Sequence, residues 1–208
     1  MLLSKIFNNK KSNKYYSLND IDRQMEHYLN YDNGFFVELG ANDGETQSNT
    51  LYFEEQRNWK GVLIEPAPNN YLKCKKRRGE KSKGFCNACV GFDYSEKFVE
   101  MAYSNLMSTP LSTESDIKDG AAHASKGKVF LKQYEDVFTF GSVAKTLNAI
   151  LLEACAPHKI DFLSLDVEGA EIEVLRGIDH KKFRFKYMCI ESRNNEKLTQ
   201  YLIENDYI

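Results

Sequence analysis

Residues Phe35 to Glu45 read FFVELGANDGE, and the fold follows from how that stretch divides. Its first five residues are a short apolar run with one acidic member, Glu38, which suits a strand buried on both faces, as in a parallel sheet. Gly40 and Gly44 then fall in a turn before a helix, where the backbone must bend sharply and let a ligand approach with no Cβ in the way. The pattern E-x-G-x-x-x-G is not the dinucleotide fingerprint G-x-G-x-x-G. A pyrophosphate wants open amides and no carboxylate nearby, whereas Glu38, Asp43 and Glu45 crowd this turn with negative charge. Such a turn suits a cationic ligand.

Four further apolar runs lie outward of it: GVLIEP (Gly61 to Pro66), FCNACV (Phe85 to Val90), IDFLSLD (Ile160 to Asp166) and YMCIES (Tyr187 to Ser192). The gaps after the first, second and fourth of the five runs are each about 20 residues, long enough for the helical crossover that joins parallel strands. Helices are therefore predicted over Ser48 to Gln56, Pro68 to Arg78 and Ala170 to Gly177. The longer gap, Gly91 to Lys159, predicts an edge strand at Lys97 to Ala102. A polar stretch follows, Ser104 to Lys128, either a disordered insertion or a lid over a site. The gap closes with a helix at Ser142 to Cys155, whose Val143, Leu147, Ile150, Leu151 and Ala154 form one face.

Ahead of the first strand, Asp20 to Leu29 predicts a short helix with Asp20 as N-cap, and Met1 to Asn19 a frayed or loosely docked tail. Residues 20–208 thus read as one α/β domain, Rossmann-like, with a mostly parallel sheet and helices on both faces. After a helix at Asn195 to Glu204, the segment ENDYI looks like the opening of another strand. Either the sheet lacks its last edge, or the chain is truncated relative to its relatives.

Open α/β sheets bind ligands beyond the carboxyl ends of their strands, so the acidic residues there are candidates for chemistry. Glu65 ends the second run some 20 residues after the glycine turn, the position from which a carboxylate accepts hydrogen bonds from both hydroxyls of an adenosine ribose. Nicotinamide enzymes share that feature, so it points to an adenosine and not to one cofactor. S-adenosylmethionine carries an adenosine together with a sulfonium and an ammonium group, which the acidic turn would favour. Asn87 can meet the base edge of an adenine or satisfy a local turn. Asp166 ends the fourth run and Glu168 follows it, Gly169 permits the turn, and Glu191 ends the fifth run at the same rim. A carboxylate there can orient a hydroxyl, take its proton or hold a divalent cation. Glu171 reads as a favourable charge in the first turn of its helix, and His123 and His158 as solvated histidines.

Composition narrows the partners. Lys plus Arg total 28 against 30 for Asp plus Glu, a formal net charge of -2 that gives no electrostatic case for nucleic acid. The basic run Lys73 to Lys83 reads as a solvated helix end and turn. No apolar run approaches the ~18 residues of a membrane span, and the amino terminus lacks the features of a secretory signal, so a cytoplasmic protein is expected. Five cysteines without regular spacing fit reduced thiols. The pair Cys86 and Cys89, set in one strand, would point to opposite faces and make a poor zinc site.

The segments ELGANDGETQSNT, GVLIEPAP, NACVG and IDFLSLDVEGAEIEVLRGI together resemble the FkbM family of S-adenosylmethionine-dependent methyltransferases, over about Gly34 to Glu191 and in the family's order. The resemblance implies a class I methyltransferase fold with a final antiparallel hairpin, expected to be missing or truncated here, and O-methylation of a hydroxyl on a sugar, glycan or other small metabolite. Ala67 stands where the family often has Asn. Carried over, Glu38, Gly40, Ala41, Asn42, Asp43 and Gly44 would contact the methionine part of the cofactor, Glu65 and Pro66 the ribose, and Asn87 and Ala88 the adenine. Asp166 and Glu168, with Glu191, would stand at the methyl-transfer site. Asp166 and Glu191 end adjacent strands and could share a Mg²⁺ or Mn²⁺. The competing expectation is a non-catalytic cofactor-binding scaffold within a larger glycan-modifying system. The acidic turn and the missing third glycine disfavour a nicotinamide oxidoreductase.

Overall fold

The protein is described here by a computed structural model covering residues 14–207. Five strands form an all-parallel sheet: β1 (Phe35–Leu39), β2 (Lys60–Ile64), β3 (Lys83–Phe85), β8 (Lys159–Leu165) and β9 (Arg184–Ile190), in the order β3-β2-β1-β8-β9. The chain lays down β1, β2 and β3 in one direction, then returns to place β8 and β9 on the other side of β1. The crevice between β1 and β8 is therefore a topological switch point. This is the Rossmann-like α/β architecture expected from the apolar runs. A smaller sheet, in the order β4-β7-β5-β6, consists of β4 (Ala88–Val90), β5 (Phe98–Tyr103), β6 (Thr109–Pro110) and β7 (Phe138–Thr146).

Helices α1 (Ile21–Glu26), α2 (Leu51–Gln56) and α3 (Pro68–Arg78) contribute to the apolar cluster on one face, with Tyr52, Phe53 and Cys74 packed against Phe36, Leu63 and Phe162. Helices α5 (Leu147–Glu153), α6 (Glu171–Leu175) and α7 (Asn195–Glu204) bury Leu147, Ile150, Ile172, Leu175 and Leu198 against Val37, Leu39, Val62 and Ile64 on the other. Successive strand residues point to opposite faces, so the run in β1 splits Phe36 from Val37 and Leu39. The remaining helix, α4 (Gly120–Lys126), lies within the stretch between β6 and β7.

Several expected elements differ. FCNACV is not one strand: β3 pairs with β2 while β4 pairs with β7, so Cys86 and Cys89 belong to different parts of the structure. All five cysteines are free thiols. The segment expected as a helix from Ser142 begins as β7, because Phe98 to Tyr103 and Ala88 to Val90 pair with it on either side; the helix starts only after Thr146, whose side chain caps the amide of Ala149. For the same reason β5 is an inner strand, flanked by β7 and β6, and not an edge. The stretch 104–128 has defined structure: a 3-10 turn at Asn105–Met107, β6 and α4.

Asp20 does not cap α1, as its side chain makes no capping bond and its φ is 56°. The fully buried Asp22 organises that entry instead, accepting from the amides of Tyr16, Ser17 and Arg23 and from the Ser17 hydroxyl. Residues 14–19 are thereby tied to the domain, with Tyr16 donating to Glu55 and Ser17 bridging to Gln47; the part of the expected tail before Lys14 lies outside the described residues. Among the described residues no strand follows β9, and no helix is long and apolar enough to cross a membrane.

Candidate active site

A cavity of about 330 Å³ opens at the switch point. Leu39, Ile64, Leu165 and Ile190, the last residues of β1, β2, β8 and β9, all line it, so it sits on the carboxyl rim of the parallel sheet. Its tightest point is Gly40, at φ +78°, where an added Cβ would stand 2.0 Å from the carbonyl oxygen of Asp166. The amides of Gly40 and Ala41 both reach the carbonyl of Ile64. The glycine turn therefore crosses the cleft between β2 and β8 with bare backbone, and any side chain at position 40 would force the strand ends apart.

On the β2 side of this crossing, Glu65 is buried, and its two oxygens accept from the amides of Asn42 and Ala67 at 2.9 Å each. Burial pushes its carboxyl up to about 7, although those two amides favour the charged form. Pro66, Asn87 and Ala88 line the same half, and the Asn87 side-chain amide donates to the carbonyl of Val143. Asn42, at φ 46°, also donates from its side chain to Asn105, joining the glycine turn to the segment before β6.

On the β8 side, one ligand oxygen from each of Asp166, Glu168 and Glu191 falls within 4.8 Å of the others. Asp166 opens to the cleft yet lies deep among protein atoms. Burial, then a hydrogen bond and charge repulsion from Glu191, raise its carboxyl well above the ordinary range. Glu168 sits at φ 55°, a left-handed conformation that a glutamate adopts only when its surroundings demand it. Both Nε2 of His123 and the Arg193 guanidinium lie 2.7 Å from one of its oxygens. His123 is thus not solvated: α4 carries it across to the rim. His158, by contrast, is exposed and packs edge-on against Phe183. Glu171 does more than bias a helix turn, since it is buried and accepts from the amides of Val167 and Gly169, closing the loop that carries Glu168.

Three candidates lie behind the cavity and not on it. Glu38 points to the α2 and α3 face, as the alternation after Phe36 requires, and accepts from Ser48, Thr50, the Asn49 amide and the fully buried Arg78. Asp43 accepts from the amides of Glu45 and Thr46 and the Thr46 hydroxyl; burial alone would raise its carboxyl, but these donors hold it below the ordinary range. Gly44, at φ +81°, backs onto Cys74 and Arg78. All three build the turn that presents Gly40 to Asn42.

The sequence did not single out Leu18, Asn19 and Ile21, which also line the cavity, nor Gln47, Ser48 and Asn49 as lining groups, although TQSNT is among the segments that carry the resemblance. Five non-glycine residues lining it, Asn19, Asn42, Gln47, Asn105 and Glu168, have positive φ. Asparagine in a polar loop is a signal for that conformation, because its short side chain tolerates it, and three of the five are asparagines.

Compared with known proteins, the chain matches the family model described as the Methyltransferase FkbM domain, over residues 38–208. No curated protein and no solved structure matches it.

Proposed function

The chain belongs to the FkbM methyltransferase family and is on that ground a methyltransferase, and from this premise we propose that it moves a methyl group from S-adenosylmethionine to a hydroxyl oxygen of a sugar, glycan or other small metabolite. The observation that carries the proposal is one cavity at the glycine crossing, with the buried carboxylate of Glu65 on one side and the carboxylates Asp166, Glu168 and Glu191 on the other. The donor set suits this cofactor. Each Glu65 oxygen spends one lone pair on a backbone amide and keeps another for a ribose hydroxyl. Gly40, Ala41 and Asn42 line the space proposed for the methionine part, and Asn87 and Ala88 border the space where an adenine would lie.

When bound, the cofactor supplies an electrophilic methyl group on its sulfonium. The protein's part is then alignment of the acceptor oxygen and removal of its proton. Glu168, held by Arg193 and His123, is the proton acceptor in this reading, and Asp166, whose carboxyl is raised, hydrogen-bonds the acceptor. The test is transfer of isotope-labelled methyl to a panel of sugars and glycan extracts, with calorimetry of cofactor binding. Binding of NADH with none of S-adenosylmethionine would overturn the proposal, and cofactor binding with unchanged cellular function in the Glu168→Gln protein would mark a scaffold instead.

A metal-assisted variant is favoured by one observation, the convergence of Asp166, Glu168 and Glu191, since hard divalent cations take oxygen ligands of this kind. Mg²⁺ or Mn²⁺ there would polarise an acceptor diol. Full activity after exhaustive EDTA treatment rules that variant out.

A further inference from the structure

The matched family domain starts at residue 38, yet part of the cavity wall comes from upstream of it. Leu18, Asn19 and Ile21 reach the cavity from a short 3-10 turn, Leu18–Asp20, in which Asn19 and Asp20 are consecutive left-handed residues at φ 54° and 56°. Asn and Asp tolerate this conformation better than other side chains, and neighbouring contacts hold the turn in place. Asp22 does so from below through its four bonds to Tyr16, Ser17 and Arg23. Tyr15 donates to Glu26 and Tyr16 to Glu55, and Ser17 bridges to Gln47. The result is a firmly anchored turn that offers an apolar side chain to solvent: Leu18, which lines the cavity, is 54% exposed.

Its position separates it from the half assigned to adenosine. Gln47 precedes Asn49, whose side-chain amide donates to Ser164 on β8, so the turn bridged to Ser17 leans over β8. The segment after α1 runs over the same strands, with Tyr28 against Tyr187 of β9 and Tyr31 bonded to Asp161 of β8. Glu65 follows β2, on the opposite side of β1. Leu18 and Ile21 line the same cavity as Val167, Ile190 and the three carboxylates, so apolar side chains share it with an acidic group.

Resting on the methyltransferase reading above, we propose that Leu18, Asn19 and Ile21 form the acceptor-recognising wall, and that the acceptor carries an apolar group beside the hydroxyl that is methylated. A free, fully hydroxylated sugar would leave Leu18 and Ile21 against polar groups, whereas an alkyl, acyl or aryl substituent would cover them. Asn19 supplies one amide to orient the polar side.

The experiment incubates the full chain with methyl-tritiated S-adenosylmethionine and a detergent extract of the source cells, then partitions the labelled product between butanol and water. Label predominantly in butanol is expected; label confined to water overturns the proposal. No incorporation by a protein that binds the cofactor overturns the methyltransferase reading itself, and the proposal falls with it. Leu18→Asp and Ile21→Ser are compared in parallel, with thermal melting and cofactor titration confirming a folded protein whose cofactor affinity stays within about twofold. Incorporation should fall at least about tenfold through the acceptor KM, and the butanol-to-water ratio should drop. Unchanged incorporation and ratio in both variants, or a loss traced to weaker cofactor binding, overturns the assignment.

Discussion

Glu168 shows what a residue can disclose that its neighbours in sequence cannot. DVEGAE announces acidic groups at a strand end, but the sequence does not say which of them faces a ligand. Glu38 and Asp43 looked equivalent to Glu65 and are spent on building the turn, because strand alternation sends Glu38 to the other face and the amides of Glu45 and Thr46 claim Asp43. Glu65 and Asp166 were legible because each ends a strand that points at the rim. Glu168 is distinguished by its left-handed backbone and its two cationic partners. Glu168→Gly is expected to remove about 1 kcal/mol of backbone strain while losing those partly exposed contacts. The melting temperature should change little, and methyl transfer should fall by about 10²-fold or more. Steady-state kinetics beside calorimetric melting checks both; retained kcat would remove Glu168 as the proton acceptor.

At the scale of elements, the parallel strands flanking the cleft could be read, whereas the small sheet could not. β4 and β7 pair across 56 residues between Ala88 and Ala144, and β5 fits between β7 and β6, so what decides strand against helix for Phe138 to Thr146 is a distant partner and not a local pattern. Burial of polar groups between elements was equally invisible. Arg78, at the end of a run that looked solvated, is fully buried and ties α3 to Glu38 of β1 and Glu54 of α2. Arg78→Met leaves two buried carboxylates without their cation and is expected to cost about 3–5 kcal/mol, read as a lowered urea midpoint with unchanged slope. Helix α4 offers a functional counterpart. Its His123 is the contact that fixes it to Glu168, so His123→Ala should speed amide exchange over residues 120–126 and raise the acceptor KM, with the cofactor affinity unchanged. Exchange measured by mass spectrometry that stays at the wild-type rate would show that other contacts hold α4.

For the molecule as a whole, the order β3-β2-β1-β8-β9 places the ligand cavity where both wings of the sheet meet, so occupancy there should register in global stability. Glu65 sets how that response depends on pH. Its folded-state value of about 7 stands above that of an unfolded glutamate, so the stability it allows is fully present below the unfolded value and is lost as pH rises through 7, where a charge must be carried in a buried site. Ribose hydroxyls donated to Glu65 favour the ionised form, so cofactor binding should weaken by up to about tenfold per pH unit below 7. A ligand held at about 100 times its dissociation constant at pH 8 stabilises by about 2.7 kcal/mol, or about 5–10 °C for a chain of this size. The same concentration at pH 6 should give about half that shift. Melting curves with and without S-adenosylmethionine across this range test the coupling, and equal shifts at pH 6 and pH 8 would mean that Glu65 holds the turn together without touching the cofactor.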